Sequence, residues 1–244
     1  MDQPLVTFCM GLKNRSQQAL QTIRNLVTPA NHEFFKFTIV EDTGEDLLDL
    51  AHFEHRDLIK YHLVVTGDSW NRSKVLNFGG RRVFTPYVAF WDADFIFPAN
   101  FTIELLRLLK EIEMQYIVAI ECYESGDSII GETKKSKGDR YGRLWLYPTK
   151  AFKQVRGFDE RFIGWGKEER DLERRVCAEC GLQTFYTWKK RPSLFVKHKS
   201  HNDDSRGISY EAVARNIKLT SQNQKKKLYV VNDEKWGLFP EVKA

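Results

Sequence analysis

Through the first half of the 244-residue chain, short apolar runs alternate with segments of helical period. LVTFCM (5–10), FKFTIV (35–40), YHLVV (61–65), YVAFW (87–91) and YIVAIE (116–121) read as strands. Between them, SQQALQTIRNLV (16–27) carries Leu20, Ile23 and Val27 at helical spacing, with Ser16 placed to cap it. NRSKVLNFGGRRVF (71–84) sets Val75, Leu76, Gly79 and Val83 on one helical side, and NFTIELLRLLKEIEM (100–114) is amphipathic behind Asn100. This alternation predicts an α/β fold, with a mostly parallel central sheet flanked by helices. No composition break marks a boundary, so 1–244 reads as one domain. In such sheets ligands bind at the carboxyl ends of the strands. Lys13, Asp42 and Asp92 all sit just past strand ends and are candidates for one crevice.

The second half is less regular. SGDSIIGETKKSKGDRYG (125–142) reads as a long polar loop, followed by a strand at LWLYP (144–148). EERDLERRVCAECG (168–181) reads as a helix with Leu172 and Val176 inward and Gly181 as its stop. QTFYTW (183–188) and SLFVKH (193–198) read as late strands, and QKKKLY (224–229) as a solvated basic face. The pair Cys177 and Cys180 lacks the second ligand pair that a structural zinc needs, which leaves helix packing as its reading. The net charge of +5 suits an anionic ligand and is too small to argue for nucleic acid. Neither a signal peptide nor an apolar run of membrane-spanning length is present, so the expectation is either a soluble cytoplasmic protein without evident membrane association or one from which an anchor has been removed.

AFWDADFIFPANF (89–101) places two carboxylates, Asp92 and Asp94, inside strongly apolar sequence. One reading is a solvated turn at a strand end. The other is a cation site, because two like charges in apolar surroundings disfavour each other's ionisation and a hard divalent ion relieves that conflict. Trp70, Arg72 and Lys74 cluster at a helix start, where an anion is attracted and an aromatic ring can stack on a flat base. A capped helix with a solvated basic side accounts for the same residues. Gly164-Trp165-Gly166 is a flexible turn with one large aromatic, leading into Glu168 and Glu169 at another helix start. Acidic residues suit a first turn by themselves, through the helix dipole. His198 and His201 follow the last apolar strand, and imidazole joins carboxylate and phosphate oxygens around Mn²⁺.

Taken in order, these segments resemble the GT-A glycosyltransferases, most of all the animal β-1,4-galactosyltransferases and the chondroitin-polymerising transferases. GLKNRSQQAL (11–20) is similar to that group's P-F-R-N-R-x-x-x-L, and WNRSKVLNFG (70–79) to its F-N-R-A-K-L-L-N-x-G. DAD (92–94) fits the D-x-D position, GFDERFIGWGKEERD (157–171) resembles G-F-x-x-x-x-x-G-W-G-G-E-D-D-D, and FVKH (195–198) fits M-I-R-H. The resemblance spans about residues 5–205. It implies an inverting, metal-dependent transferase that moves a sugar from a UDP-sugar donor to a glycan or saccharide hydroxyl. Residues 1–100 would form the nucleotide-sugar part and 101–244 the acceptor-binding and catalytic part.

By this resemblance Lys13 and Arg15 touch the nucleotide, Trp70 packs on uracil, and Arg72 contacts the diphosphate or sugar. Asp92 binds donor hydroxyls, while Asp94 and His198 ligate Mn²⁺ or Mg²⁺. Trp165 sits in a small loop over the donor, Glu168 holds the acceptor region, and Glu169 is the catalytic base. The chain departs from the pattern at four places. The metal-binding Met falls at Phe195, which has no ligating atom, with His201 as a candidate substitute. Lys167 stands for a Gly, Glu169 for a shorter Asp, and Arg170 for an acidic residue. These departures keep open a second reading, a non-catalytic sugar-nucleotide or glycan-binding module. A nucleotidyltransferase is a third reading, but it leaves the Gly-Trp-Gly-x-Glu-Glu segment without a role. The polar stretch 199–216 is expected to order over bound donor, because transfer must exclude water.

Overall fold

The computed structural model describes residues 3–67, 69–112, 115–124, 143–164, 166–199 and 210–242. The expected loop at 125–142, Trp165, His201 and most of the stretch after Lys199 lie outside the described residues.

The first half winds as its alternation predicts. Strand β1 (Val6–Leu12) leads into helix α1 (Ser16–Leu26), the short α2 (Pro29–His32) and β2 (Phe35–Asp42). Next come β3 (Ile59–Val64), α3 (Arg72–Arg81), β4 (Tyr87–Trp91) and the two-residue β5 (Phe95–Ile96). Helix α4 (Phe101–Glu111), β6 (Tyr116–Glu124), β7 (Leu144–Pro148) and α5 (Thr149–Gln154) follow. The remainder is α6 (Glu168–Cys180), β8 (Gln183–Tyr186), α7 (Thr187–Lys190), β9 (Phe195–His198), α8 (Tyr210–Lys225) and β10 (Glu241–Val242).

The strands join in the order β10-β3-β2-β1-β4-β7-β6-β9-β5, with β8 also on β6. The half that carries β3, β2, β1 and β4 is parallel throughout. Beyond it the sheet is mixed: β7 runs antiparallel to both β4 and β6, so β6, β8 and β9 point the same way as β4. The carboxyl ends of all seven co-directional strands therefore lie along one edge of the sheet. Consecutive strand residues face opposite sides, so one set, including Phe8, Phe37, Trp91 and Ile120, packs with α1 and α4. The other set, including Cys9, Phe90, Trp145 and Tyr147, packs with α3, α5 and α6.

Several local expectations change. Ser16 is the first residue of α1 and not its cap; its amide and hydroxyl donate to Asp46 at 3.1 and 2.5 Å, so a loop carboxylate holds that helix end. Asn100 occupies the cap position of α4 without a side-chain bond, whereas Asn71 caps α3 by accepting from the Lys74 amide at 2.9 Å. The segment 183–198 is two strands parted by α7, both on β6: β8 pairs with Tyr116–Ala119 and β9 with Glu121–Glu124. Cys177 and Cys180 are free thiols packed against the second core, which is the helix-packing reading.

Candidate active site

Each strand end along the common edge contributes polar groups. After β1, the Lys13 ammonium donates to Asp42 at 3.0 Å. Asp42 ends β2 fully buried, and its other donors are the amide and hydroxyl of Thr66, at 3.0 and 2.9 Å. Asp42 therefore anchors Lys13 and the loop after β3. Trp70 stands half-buried at the start of α3, against Val40, Val64, Val75 and Phe78.

After β4 the two aspartates part company. Asp92, one-third exposed, accepts from the Arg72 guanidinium at 2.8 Å. Asp94 is buried and has different partners, lying 3.2 Å from the His198 imidazole and 3.5 Å from Arg15. The chain direction explains that pairing. Directly after Asp94 the backbone enters β5, whose Phe95 lies opposite His198 on β9, and the Lys199 amide donates to the Asp94 carbonyl at 2.9 Å. Two residues 104 positions apart are thus brought together by a two-residue strand. A carboxylate beside an imidazole is a donor set suited to Mn²⁺. Among the described residues no group of three or more metal-ligating side chains forms. Among the described residues, Asp94 and His198 are the pair here whose oxygen and nitrogen donors suit such an ion. Phe195 points away, its ring edge-on to Tyr123 at 5.6 Å, so it is a packing residue.

Arg72 is the centre of the charged cluster. It is nearly buried and reaches three carboxylates: Asp92 at 2.8 Å, Glu169 at 2.6 Å and Glu168 at 3.6 Å. Burial disfavours its charge, but Glu169, Asp92 and Glu168 outweigh that, and its pKa is raised. This ties the aspartate after β4 to the glutamates that open α6. Glu169 remains a quarter exposed, while Glu168 is almost fully enclosed. Burial first, then the like charge of Glu169, pushes the Glu168 carboxyl up to about 8 despite Arg72.

That shift has a stability consequence. Between the ordinary carboxyl value and about 8, the folded chain holds the Glu168 proton more tightly than the unfolded chain. The stabilisation is complete below the unfolded pKa and is lost as pH rises through the folded one. Glu168→Gln, neutral throughout, is expected to gain melting temperature on the wild type steadily between about pH 5 and about pH 8. Thermal scans of both proteins across that range check it; parallel curves would contradict it.

The turn leading into α6 is fixed from two sides. Gly164 and Gly166 take φ of 70° and 107°, and Lys167 takes 76°. The left-handed region costs a residue with a Cβ about 1–2 kcal/mol, which explains why glycine suits the Lys167 position. On one side, Gly164 bridges to Asn71, and its amide donates to the Trp70 carbonyl at 3.3 Å. On the other, α8 covers the turn: the buried Asn216 donates to the carbonyls of Ile163 and Gly166, each at 3.2 Å. One face of α8 further along, Asn223 donates to Asp159 at 2.9 Å and Asp171 at 3.3 Å.

The sequence reading did not assign α8. Its first residues, 210–216, belong to the stretch expected to order over donor, and here they form helix packed against Gly164 and Gly166. The signal was the recurrence of Asn216 and Asn223 two helical turns apart, a polar stripe where an apolar one is the usual mark.

Residues 133–199 match the family model described as "N-terminal domain of galactosyltransferase". No curated protein matches the sequence. Among solved structures, the catalytic domain of Drosophila β1,4-galactosyltransferase 7, complexed with xylobiose, is similar at TM-score 0.60 and 15% identity, covering 89% of this chain and 79% of that one. S. aureus TarS 1–349 in complex with UDP-GlcNAc reaches 0.62 at 11% identity, with 89% and 66% covered. The mannosyltransferase PcManGT from Pyrobaculum calidifontis, in complex with GDP-Man and Mn²⁺, reaches 0.60 at 14%, with 80% and 57% covered, so the chain spans little more than half of that protein. The fold is that of the GT-A glycosyltransferases.

Proposed function

We propose that this protein is an inverting, metal-dependent glycosyltransferase that moves a sugar from a UDP-sugar to a saccharide hydroxyl. The observation that carries the reading is the Arg72 cluster, where one buried guanidinium joins the strand-end Asp92 to Glu168 and Glu169. Donor-side and acceptor-side groups thereby meet at the sheet edge where α/β folds bind ligands. The solved relatives point the same way, since their complexes hold nucleotide sugars, a divalent metal or a saccharide.

In this reading Trp70 offers an aromatic face to the base, and Lys13 and Arg15 offer cations to the nucleotide. Asp92 meets hydroxyls of the donor sugar. Asp94 and His198 hold the metal, which supplies Lewis-acid stabilisation of the departing diphosphate. Glu169, the more exposed glutamate, takes the proton from the acceptor hydroxyl on the face opposite the leaving group. Burial and the neighbouring charge of Glu169 raise the pKa of Glu168, which favours its neutral form and limits the negative charge gathered around the acceptor. Trp165, outside the described residues, is assigned to the donor cover by the resemblance of the Gly-Trp-Gly segment.

The direct test is release of UDP from a panel of UDP-sugars with Mn²⁺, first without acceptor, as slow hydrolysis, then with saccharides. No release from any donor under either condition favours the non-catalytic module. The metal site has a separate test in calorimetry of UDP with and without Mn²⁺. Asp94→Ala and His198→Ala are each expected to weaken Mn²⁺-dependent UDP binding by about 10–100-fold, since each removes one of the two described donors assigned to the metal. Equal UDP affinity with and without Mn²⁺ in the wild type would remove the metal from the reading.

A further inference from the structure

The last described segment of the chain returns to α3 and to the loop that leads into it. Trp236 is buried in the second core, and Gly237 runs so close to α3 that a Cβ there would meet the Asn77 carbonyl oxygen at 2.6 Å. The Gly237 amide donates to Glu160 at 2.8 Å, and its carbonyl accepts from Arg82 at 3.1 Å. Two residues on, the half-buried Phe239 packs against a small apolar cluster of Val40, Val64, Val75 and Phe78. Trp70 packs against the same cluster. The Lys74 ammonium lies 5.5 Å from the centre of the Phe239 ring and donates to the Thr66 carbonyl at 3.1 Å. The Pro240 carbonyl accepts from the Val65 amide at 3.1 Å, and β10 then pairs antiparallel with the end of β3. The start of the loop that leads to Trp70 is thus held by the far end of the chain.

We infer that Phe239 is a positioning residue for the nucleotide base: it completes the apolar cluster that seats Trp70 and so fixes the aromatic face offered to that base. The inference rests on the donor role proposed for Trp70. It moves residues 236–242 from the acceptor half, where chain order puts them, into the donor half. The cluster has four buried members, and among the described residues Trp70 and Phe239 are the two partly buried side chains packed on it. With so few contacts beneath it, the indole depends on each of them. The Gly164 amide, bonded to the Trp70 carbonyl, holds the backbone there but leaves the ring orientation to packing. A stacking ring that is already held in place avoids the ordering cost of binding, and its support must come from neighbours that are themselves fixed. Gly237 and β10 fix Phe239 from both sides in sequence.

Calorimetry on the whole protein with Mn²⁺ tests this with two probes, UDP and inorganic pyrophosphate, which presents a diphosphate without a base. Phe239→Ala is expected to weaken UDP binding about tenfold, within the range that stacking a base on an aromatic ring contributes. Pyrophosphate affinity should stay at the wild-type value, because the metal and the cations are untouched. Phe239→Tyr, which keeps the ring, should restore UDP binding. Phe239→Leu keeps apolar bulk and protects the fold, and it should show the same selective loss at smaller size. Phe84→Ala is the control: that ring also lies near a lysine, with Lys153 4.9 Å from its centre, but it is 93% exposed ahead of β4, at the end away from the crevice. Equal losses for the two probes in either the Ala or the Leu variant, unchanged UDP binding in both, or an equal loss from Phe84→Ala would each overturn the role. If the wild type binds UDP and the Phe239 variants bind it as tightly, the positioning role falls and the transferase reading stands. A wild type that binds no UDP removes the donor reading and this inference with it.

Discussion

Glu169→Gln is expected to lower glycosyl transfer by about 10²–10⁴-fold, the usual contribution of a positioned proton acceptor, while UDP binding with Mn²⁺ stays near the wild-type value. Glutamine keeps the length and shape of the side chain and loses only the ability to take a proton. The substitution also removes one of the carboxylates around Arg72, but the 2.8 Å bond to Asp92 remains to hold the guanidinium. The structure adds a condition to this role. Glu169 is bonded to Arg72 at 2.6 Å, so a donor diphosphate that recruits Arg72 competes with the base for the same cation. Donor binding and exposure of the base are then linked through one side chain. Single-turnover transfer and calorimetry on the same variant separate the two effects. A fully active Glu169→Gln protein would sink the assignment, and a variant that loses UDP binding as well would make Glu169 a structural partner of Arg72.

The parts of the fold that were legible in the sequence are those set by local periodicity. The strand runs and the amphipathic α1, α3 and α4 follow from which residues must face a core, and polar residues just past apolar runs come to lie along one edge of the sheet. Pairing between distant strands was not legible. No local signal says that β5 meets β9, and that two-residue contact is what brings Asp94 to His198. Spacing by two did not separate Asp92 from Asp94 either; only the family resemblance gave them different roles, because local sequence does not fix where each side chain finds its partner once the strand has ended. Helix α8 escaped because its buried positions are Asn216 and Asn223, whose work is hydrogen bonding. Ser16 was misread as a cap because its competing partner, Asp46, lies thirty residues away on another loop.

The same limit hid Arg175, for which Leu172 and Val176 alone were read as inward. Arg175→Met is expected to destabilise the fold by about 3–5 kcal/mol, the range for breaking a buried ion pair from one side. Arg175 is fully buried and donates to Asp171, itself fully buried, at 2.6 Å. Its other donors reach the carbonyl of Gly157 at 2.8 Å and those of Val155 and Tyr229 at 3.3 Å each. Methionine fills much of the space but satisfies none of these acceptors, and it leaves Asp171 to Arg174 at 3.4 Å and Asn223 at 3.3 Å. Denaturant unfolding with an unchanged slope measures the loss. The double variant Asp171→Leu/Arg175→Met separates the causes: if the stranded carboxylate dominates, removing it recovers much of the stability, because a buried pair exchanged for apolar groups is often close to neutral. If the double variant is as unstable as the single one, the three carbonyls matter more than the ion pair. Either way the effect should reach the site. Arg175 fastens the segment at Gly157 and the tail at Tyr229 to the helix whose first turn carries Glu168 and Glu169, so loosening it frees the proposed base from its bond to Arg72.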